Sequence, residues 1–160
     1  MRVLARRIAI VREDGPGDVV GPPARRLIGE LDVLAEPFRR VVRRHEPIAA
    51  VRPRTVMLLP GFGAHPMRMR YLARSLESAG HITKRWGLGF NWGPDEERFE
   101  FLEARLADLH ARHGRPVVLL GWSLGGLYAR ELAKRQPQAV AKVITMGSPF
   151  SGSPRANNVW

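Results

Sequence analysis

Val117-Val118-Leu119-Leu120-Gly121-Trp122-Ser123-Leu124-Gly125-Gly126 is the stretch that decides the fold. Its first four residues are apolar without polar alternation, the pattern of a strand buried on both faces of a parallel sheet. They run straight into Gly121-Trp122-Ser123-Leu124-Gly125, a G-x-S-x-G sequence. After it, Leu127, Tyr128, Leu132 and Ala133 fall at helical spacing, and the pattern fades at Pro137. A serine at such a strand-to-helix corner must turn sharply, with its hydroxyl held above the sheet edge. Bulky side chains two positions to either side would collide, so Gly121 and Gly125 stand where the turn needs them. The helix N-terminus behind Ser123 offers free backbone N–H groups and the positive end of a dipole.

Working outward, the same alternation continues. Thr55 to Leu59 is a second short apolar run, ending at Pro60-Gly61-Phe62-Gly63. Met69, Leu72, Leu76 and Ala79 mark a helix closed by Gly80. Ile82 to Trp86 is a weaker strand, followed by the loop Gly87 to Pro94. Phe99, Leu102, Leu106 and Leu109 line one face of a helix. Asp95, Glu96 and Glu97 suit the positive end of its dipole, and Gly114 closes it. Val140 to Met146 is the last strand, ending in Gly147-Ser148-Pro149. The order β-α-β-α-β-α-β predicts an α/β fold, a parallel sheet with right-handed crossovers and helices on both faces.

A serine that attacks a carbonyl needs two donors for the developing oxyanion. The first is expected from the backbone N–H of Leu124, the residue after Ser123. The second is expected from the loop after an earlier strand, where Phe62 N–H holds the position and Gly61 permits close backbone approach. Both elements lie at C-terminal ends of parallel strands, where α/β sheets place their ligands.

On these residues the chain from about 55 to 150 resembles the first half of the α/β-hydrolase fold, and more narrowly its bacterial esterase/lipase-like members. The likeness rests on Pro60-Gly61-Phe62, Gly121 to Gly126, Gly147-Ser148-Pro149, and the loop Trp86-Gly87-Leu88-Gly89-Phe90-Asn91. Pro60 stands where many members carry a histidine. The resemblance implies hydrolysis of a carboxylic ester or lipid, with Ser123 as nucleophile and neither metal nor organic cofactor. Leu88, Phe90 and Trp92, beside Phe62, are candidates to line an acyl pocket, against ordinary loop packing.

The family's catalytic acid and histidine follow the serine in sequence. After Ser123 these 160 residues contain no Asp and no His, and Glu131 is the only acid. A helical rise of about 1.5 Å per residue carries Glu131 about 12 Å from the corner, too far to orient a base there. Of the five histidines, His65 alone sits in a loop that could approach Ser123. Residues 55–160 therefore read as an α/β-hydrolase core truncated after the strand that follows the elbow, and activity of this chain by itself is not expected. The alternative is a non-catalytic pseudo-hydrolase or basic interaction module that binds an acyl ligand, a partner protein or an anionic surface. A last strand without a neighbour would offer an exposed edge for oligomerisation.

Composition adds bounds. The length suits one compact domain, and the absence of cysteine excludes disulfides and thiol catalysis. The net charge of +11 is spread along the chain, with only three Lys among 26 basic residues. That reads as a basic surface rather than a nucleic-acid site. Residues 1–54 read as a basic N-terminal arm: a Gly/Pro-rich loop, then an amphipathic helix through Leu27, Leu31, Leu34, Phe38 and Val41, kinked at Pro37. Its arginine-rich face makes peripheral membrane contact an open reading. Neither a signal peptide nor a membrane-spanning run is seen, so a cytoplasmic location is expected.

Overall fold

Thr55–Leu59 (β1), Ile82–Arg85 (β2), Val117–Trp122 (β3) and Val140–Met146 (β4) pair into one fully parallel sheet in the order β2-β1-β3-β4. This is a computed structural model and it describes residues 47–148. The expectations for the looped arm and kinked helix of residues 1–46, and for residues 149–160, lie outside the described residues. Residues 47–54 enter β1 without regular secondary structure. They are tied down by Ala50 N–H to Ala79 O at 2.7 Å and by Arg54 N–H to His81 Nδ1 at 3.1 Å.

The helices between the strands are Arg70–Ser78 (α1), Glu96–His113 (α2) and Leu124–Arg135 (α3). A 3-10 turn, Pro66–Met69, leads into α1 and was not legible from apolar spacing. Side chains of a strand alternate between faces. Met57, Leu59, Val117 and Leu119 accordingly join Leu102, Leu106 and Leu109 of α2 and Tyr128, Ala129 and Leu132 of α3 in one core. Val56, Leu58, Val118 and Leu120 turn to the other face, where Met69 and the α1 residues Leu72, Ala73 and Leu76 cover them. All five β1 residues are buried, which explains the missing polar alternation. Each such aliphatic side chain contributes about 1.5–3 kcal/mol of transfer free energy.

The helix ends follow their sequence signals. Asp95 caps α2 by accepting the Arg98 N–H at 2.7 Å, and Gly114 closes it at φ 62°. Arg135, near the end of α3, reaches across to α2. It binds Glu103 at 2.7 Å, Glu96 at 3.0 Å and Glu131 at 3.1 Å, with its guanidinium 4.4 Å from the Phe99 ring centroid. Partial burial disfavours its charge, but the three carboxylates outweigh this and hold the guanidinium above its usual range. The cluster fastens the two helices behind the sheet and leaves Glu131 committed to Arg135. β4 pairs in the sheet only with β3 among the described residues, and Ile144 on it is exposed.

Candidate active site

Ser123 has φ 50° and ψ −121°, and it is the only non-glycine with positive φ among the described residues. Strain of this kind, of order 1–3 kcal/mol, persists only where surrounding contacts enforce it. Those contacts are visible. Ser123 N–H donates to Met146 O at 2.8 Å, so the end of β4 holds one side of the corner. The Ser123 carbonyl accepts from Gly126 N–H at 2.9 Å and from the Ser148 hydroxyl at 2.7 Å.

The glycines are there for space. A Cβ on Gly121 would lie 2.3 Å from the Gly125 carbonyl carbon, and one on Gly125 would lie 2.1 Å from the Leu59 carbonyl oxygen. Gly126 leaves room for Ser148, whose Oγ lies 2.0 Å from where a Cβ would be. Ser148→Ala is expected to lower stability by about 0.5–1 kcal/mol, the net worth of one hydrogen bond. The small value follows because Gly126 still satisfies the same carbonyl. Urea unfolding of the two proteins measures it.

The loop after β1 comes against this corner. The position a Gly61 Cβ would occupy is 3.2 Å from Ser123 Cβ and 3.3 Å from Trp122 O, so the Gly61 backbone lies directly beside the serine. Phe62 N–H has no acceptor among the described residues. Leu124 is the first residue of α3, so its N–H has no acceptor within the helix. The Phe62 N–H, next in chain to Gly61, and the Leu124 N–H, next in chain to Ser123, are therefore both without a backbone acceptor among the described residues.

The loop is itself held by Asn91, which is fully buried. Asn91 Nδ2 donates to Pro60 O at 2.7 Å, and its Oδ1 accepts from Gly93 N–H at 3.2 Å. Its backbone O accepts from Gly63 N–H at 2.7 Å, and its N–H donates to Ala64 O at 3.2 Å. The residues on either side of it face outward: Phe90 is 50% and Trp92 is 64% exposed, with rings stacked at 5.5 Å. Phe62, also half exposed, meets Trp92 edge-on at 6.3 Å. Phe62, Phe90 and Trp92 thus form one aromatic ledge. Leu88 is not part of it: Leu88 packs against the inner core, and its carbonyl accepts from Trp86 Nε1 at 2.6 Å.

The titratable groups nearby are few. His65 caps the 3-10 turn, its Nδ1 accepting from Met67 N–H at 3.3 Å, and its ring packs on Phe90. The Tyr128 phenol, buried under Trp86 and Phe99, is pushed up to about 12 by desolvation, partly offset by Arg98. Among the described residues, no group of three or more His, Asp or Glu is placed to hold a metal ion. No described helix is long and apolar enough to cross a membrane.

The sequence profile of the alpha/beta hydrolase family matches residues 56–160. The chain belongs to that family. Its relatives include human phosphatidylcholine-sterol acyltransferase, 27% identical over 146 residues that cover 77% of this chain and 33% of the relative. The pimeloyl-[acyl-carrier protein] methyl ester esterase of Sodalis glossinidius is 35% identical over 111 residues, covering 67% and 40%. Among solved structures, the mature lipase BlEst2 of Bacillus licheniformis superposes with a TM-score of 0.51 at 18% identity, covering 66% of this chain and 45% of that one. PytH_H230A superposes at 0.52 and 21%, covering 68% and 50%. These two likenesses show the fold alone. The chain spans about a third of the length of the acyltransferases it matches. The four-stranded sheet is accordingly a partial alpha/beta-hydrolase fold.

Two residues of this candidate site were not singled out for their roles from the sequence. Ser148 stood in a matching motif, without a partner assigned to it. Asn91, between two aromatics in a Gly/Pro loop, had only its place in that stretch as a signal.

Proposed function

We propose that this chain carries the nucleophile half of a serine esterase acting on a carboxylic ester or lipid. Ser123 attacks the carbonyl carbon, and the N–H groups of Phe62 and Leu124 stabilise the oxyanion. The observation that supports this most is the placement of the Gly61–Phe62 backbone against a serine in a strained strand-to-helix turn. Two backbone N–H groups without acceptors, one following Ser123 and one following Gly61, suit an oxyanion better than a merely structural serine. The esterase and acyltransferase relatives carry out acyl chemistry by their names, which fits an acyl substrate here. The aromatic ledge of Phe62, Phe90 and Trp92 offers an apolar surface for its chain.

The reading assigns the acid and histidine to residues outside these 160, because Glu131 is bound to Arg135 and no Asp or His follows Ser123. Without a base the serine hydroxyl stays protonated and is a poor nucleophile. The test is fluorophosphonate labelling of the full-length natural protein, with peptide mass spectrometry. A single adduct on Ser123, absent from Ser123→Ala, is the expected result. Acyl-ligand binding with no adduct would overturn it and favour a non-catalytic pseudo-hydrolase.

A further inference from the structure

We propose that Asn91 is a positioning residue that sets the direction of the second oxyanion donor and ties it to the aromatic ledge. The inference rests on the esterase reading above and goes beyond it. The N–H of Phe62 points where the Gly61–Phe62 peptide points, and a loop peptide left to itself can rotate. Here the groups bracketing that peptide end on one residue. Pro60 O, before it, accepts from Asn91 Nδ2; Gly63 N–H and Ala64 O, after it, bond to the Asn91 backbone. A further turn bond, Ala64 N–H to Gly61 O at 3.1 Å, closes the loop on itself.

Asn91 is itself held by further bonds. It is fully buried, its Oδ1 is used by Gly93 N–H, and the Gly93 carbonyl accepts from Arg98 at 2.9 Å. Its chain neighbours Phe90 and Trp92 are two of the three ledge aromatics, and Phe62 on the clamped loop is the third. A shift of the ledge therefore becomes a shift of the donor. Pre-placing a donor in this way is what makes an oxyanion site effective, since no reorganisation is then left for the reaction itself.

The amide is also a chemically specific choice. Its Nδ2 must donate to a carbonyl while its Oδ1 accepts from an N–H. Leucine does neither. An ionised aspartate keeps the Gly93 bond and sets an oxygen against Pro60 O. A protonated aspartic acid restores both bonds, and burial raises the pH at which that acid form persists.

The experiment compares wild type, Asn91→Leu and Asn91→Asp in the full-length protein. Fluorophosphonate labelling of Ser123 is followed as limiting rate against half-saturating probe concentration. Asn91→Leu is expected to lower the limiting rate about 10- to 100-fold, approaching the loss of one oxyanion donor, with half-saturation changed less than threefold. Asn91→Asp should match Asn91→Leu at high pH and recover toward wild type as pH falls, in the ratio to wild type at each pH. A purely structural role would not give that recovery at constant thermal stability. If Asn91→Leu does not fold, the Asn91→Asp pH profile decides alone. Equal limiting rates in all three proteins would overturn the inference. If wild type itself fails to label, the esterase reading fails, and amide exchange still judges the clamp. Gly63 N–H should then lose protection in Asn91→Asp at high pH while β1 and β3 keep theirs, and unchanged protection would overturn it.

Discussion

Gly125→Ala is expected to lower folding stability by about 3 kcal/mol, the upper end of what overpacking usually costs. The added methyl carbon would meet Leu59 O at 2.1 Å, Leu59 C at 2.6 Å and Pro60 O at 2.8 Å. All three are backbone atoms at the end of the central strand β1, so no side-chain rotation relieves the contact. Either α3 lifts from the sheet or the Pro60–Gly61 segment is pushed away from Ser123. The first route loses burial of Tyr128, Ala129 and Leu132; the second loses the donor geometry. Gly89→Ala is the matching control: nothing lies within 4 Å of its added carbon, so a change under about 0.5 kcal/mol is expected. Urea midpoints for the three proteins measure the difference. Equal midpoints for Gly125→Ala and wild type would mean that helix and loop do not touch at this point, and the site geometry would have to be redrawn.

The elements that sequence revealed best are those whose burial is complete. Val117 to Leu120 of β3 and Val56 to Leu59 of β1 are apolar because both their faces are covered, and the two runs were readable for that reason. β2 was weaker because it is an edge among the described residues: Thr83, Lys84 and Arg85 tolerate partial exposure, and its Thr83 hydroxyl bonds to Glu77. The order β2-β1-β3-β4 was not legible. Crossover handedness limits how strands connect but does not say on which side of β1 each one lands. At the corner, Gly121 and Gly125 were legible because an added Cβ would run into backbone at 2.3 Å and 2.1 Å, a steric demand only glycine meets. The aromatic ledge was only partly so. Phe90 and Trp92 project outward whereas Leu88 turns to the core, and a loop without periodicity carries no sign of which side chains turn in. Asn91 shows the same limit more sharply. A buried asparagine with every hydrogen bond met and a surface asparagine in a turn look alike until the loops they join are seen together.

Hydrolysis of a p-nitrophenyl ester by the 160-residue chain is expected to exceed the buffer rate by no more than about 10³–10⁴-fold, the residual acceleration that donors and binding supply without a triad. Ser123→Ala should change that residual rate by less than about threefold, since an unactivated hydroxyl contributes little to it. In the full-length protein of the proposed function, the same substitution should cost on the order of 10⁴-fold or more. The contrast tests where the base lies. His81 accepts from Arg54 N–H at the start of β2, and His110 and His113 end α2 ahead of β3. All three therefore sit at the N-terminal edge of the sheet, opposite the serine. His65 alone among the described histidines stands in the loop beside Ser123, and its Nδ1 already accepts from Met67 N–H. A Ser123-dependent turnover in the 160-residue chain, lost again in His65→Ala, would place the base inside these residues and overturn its assignment to residues beyond them.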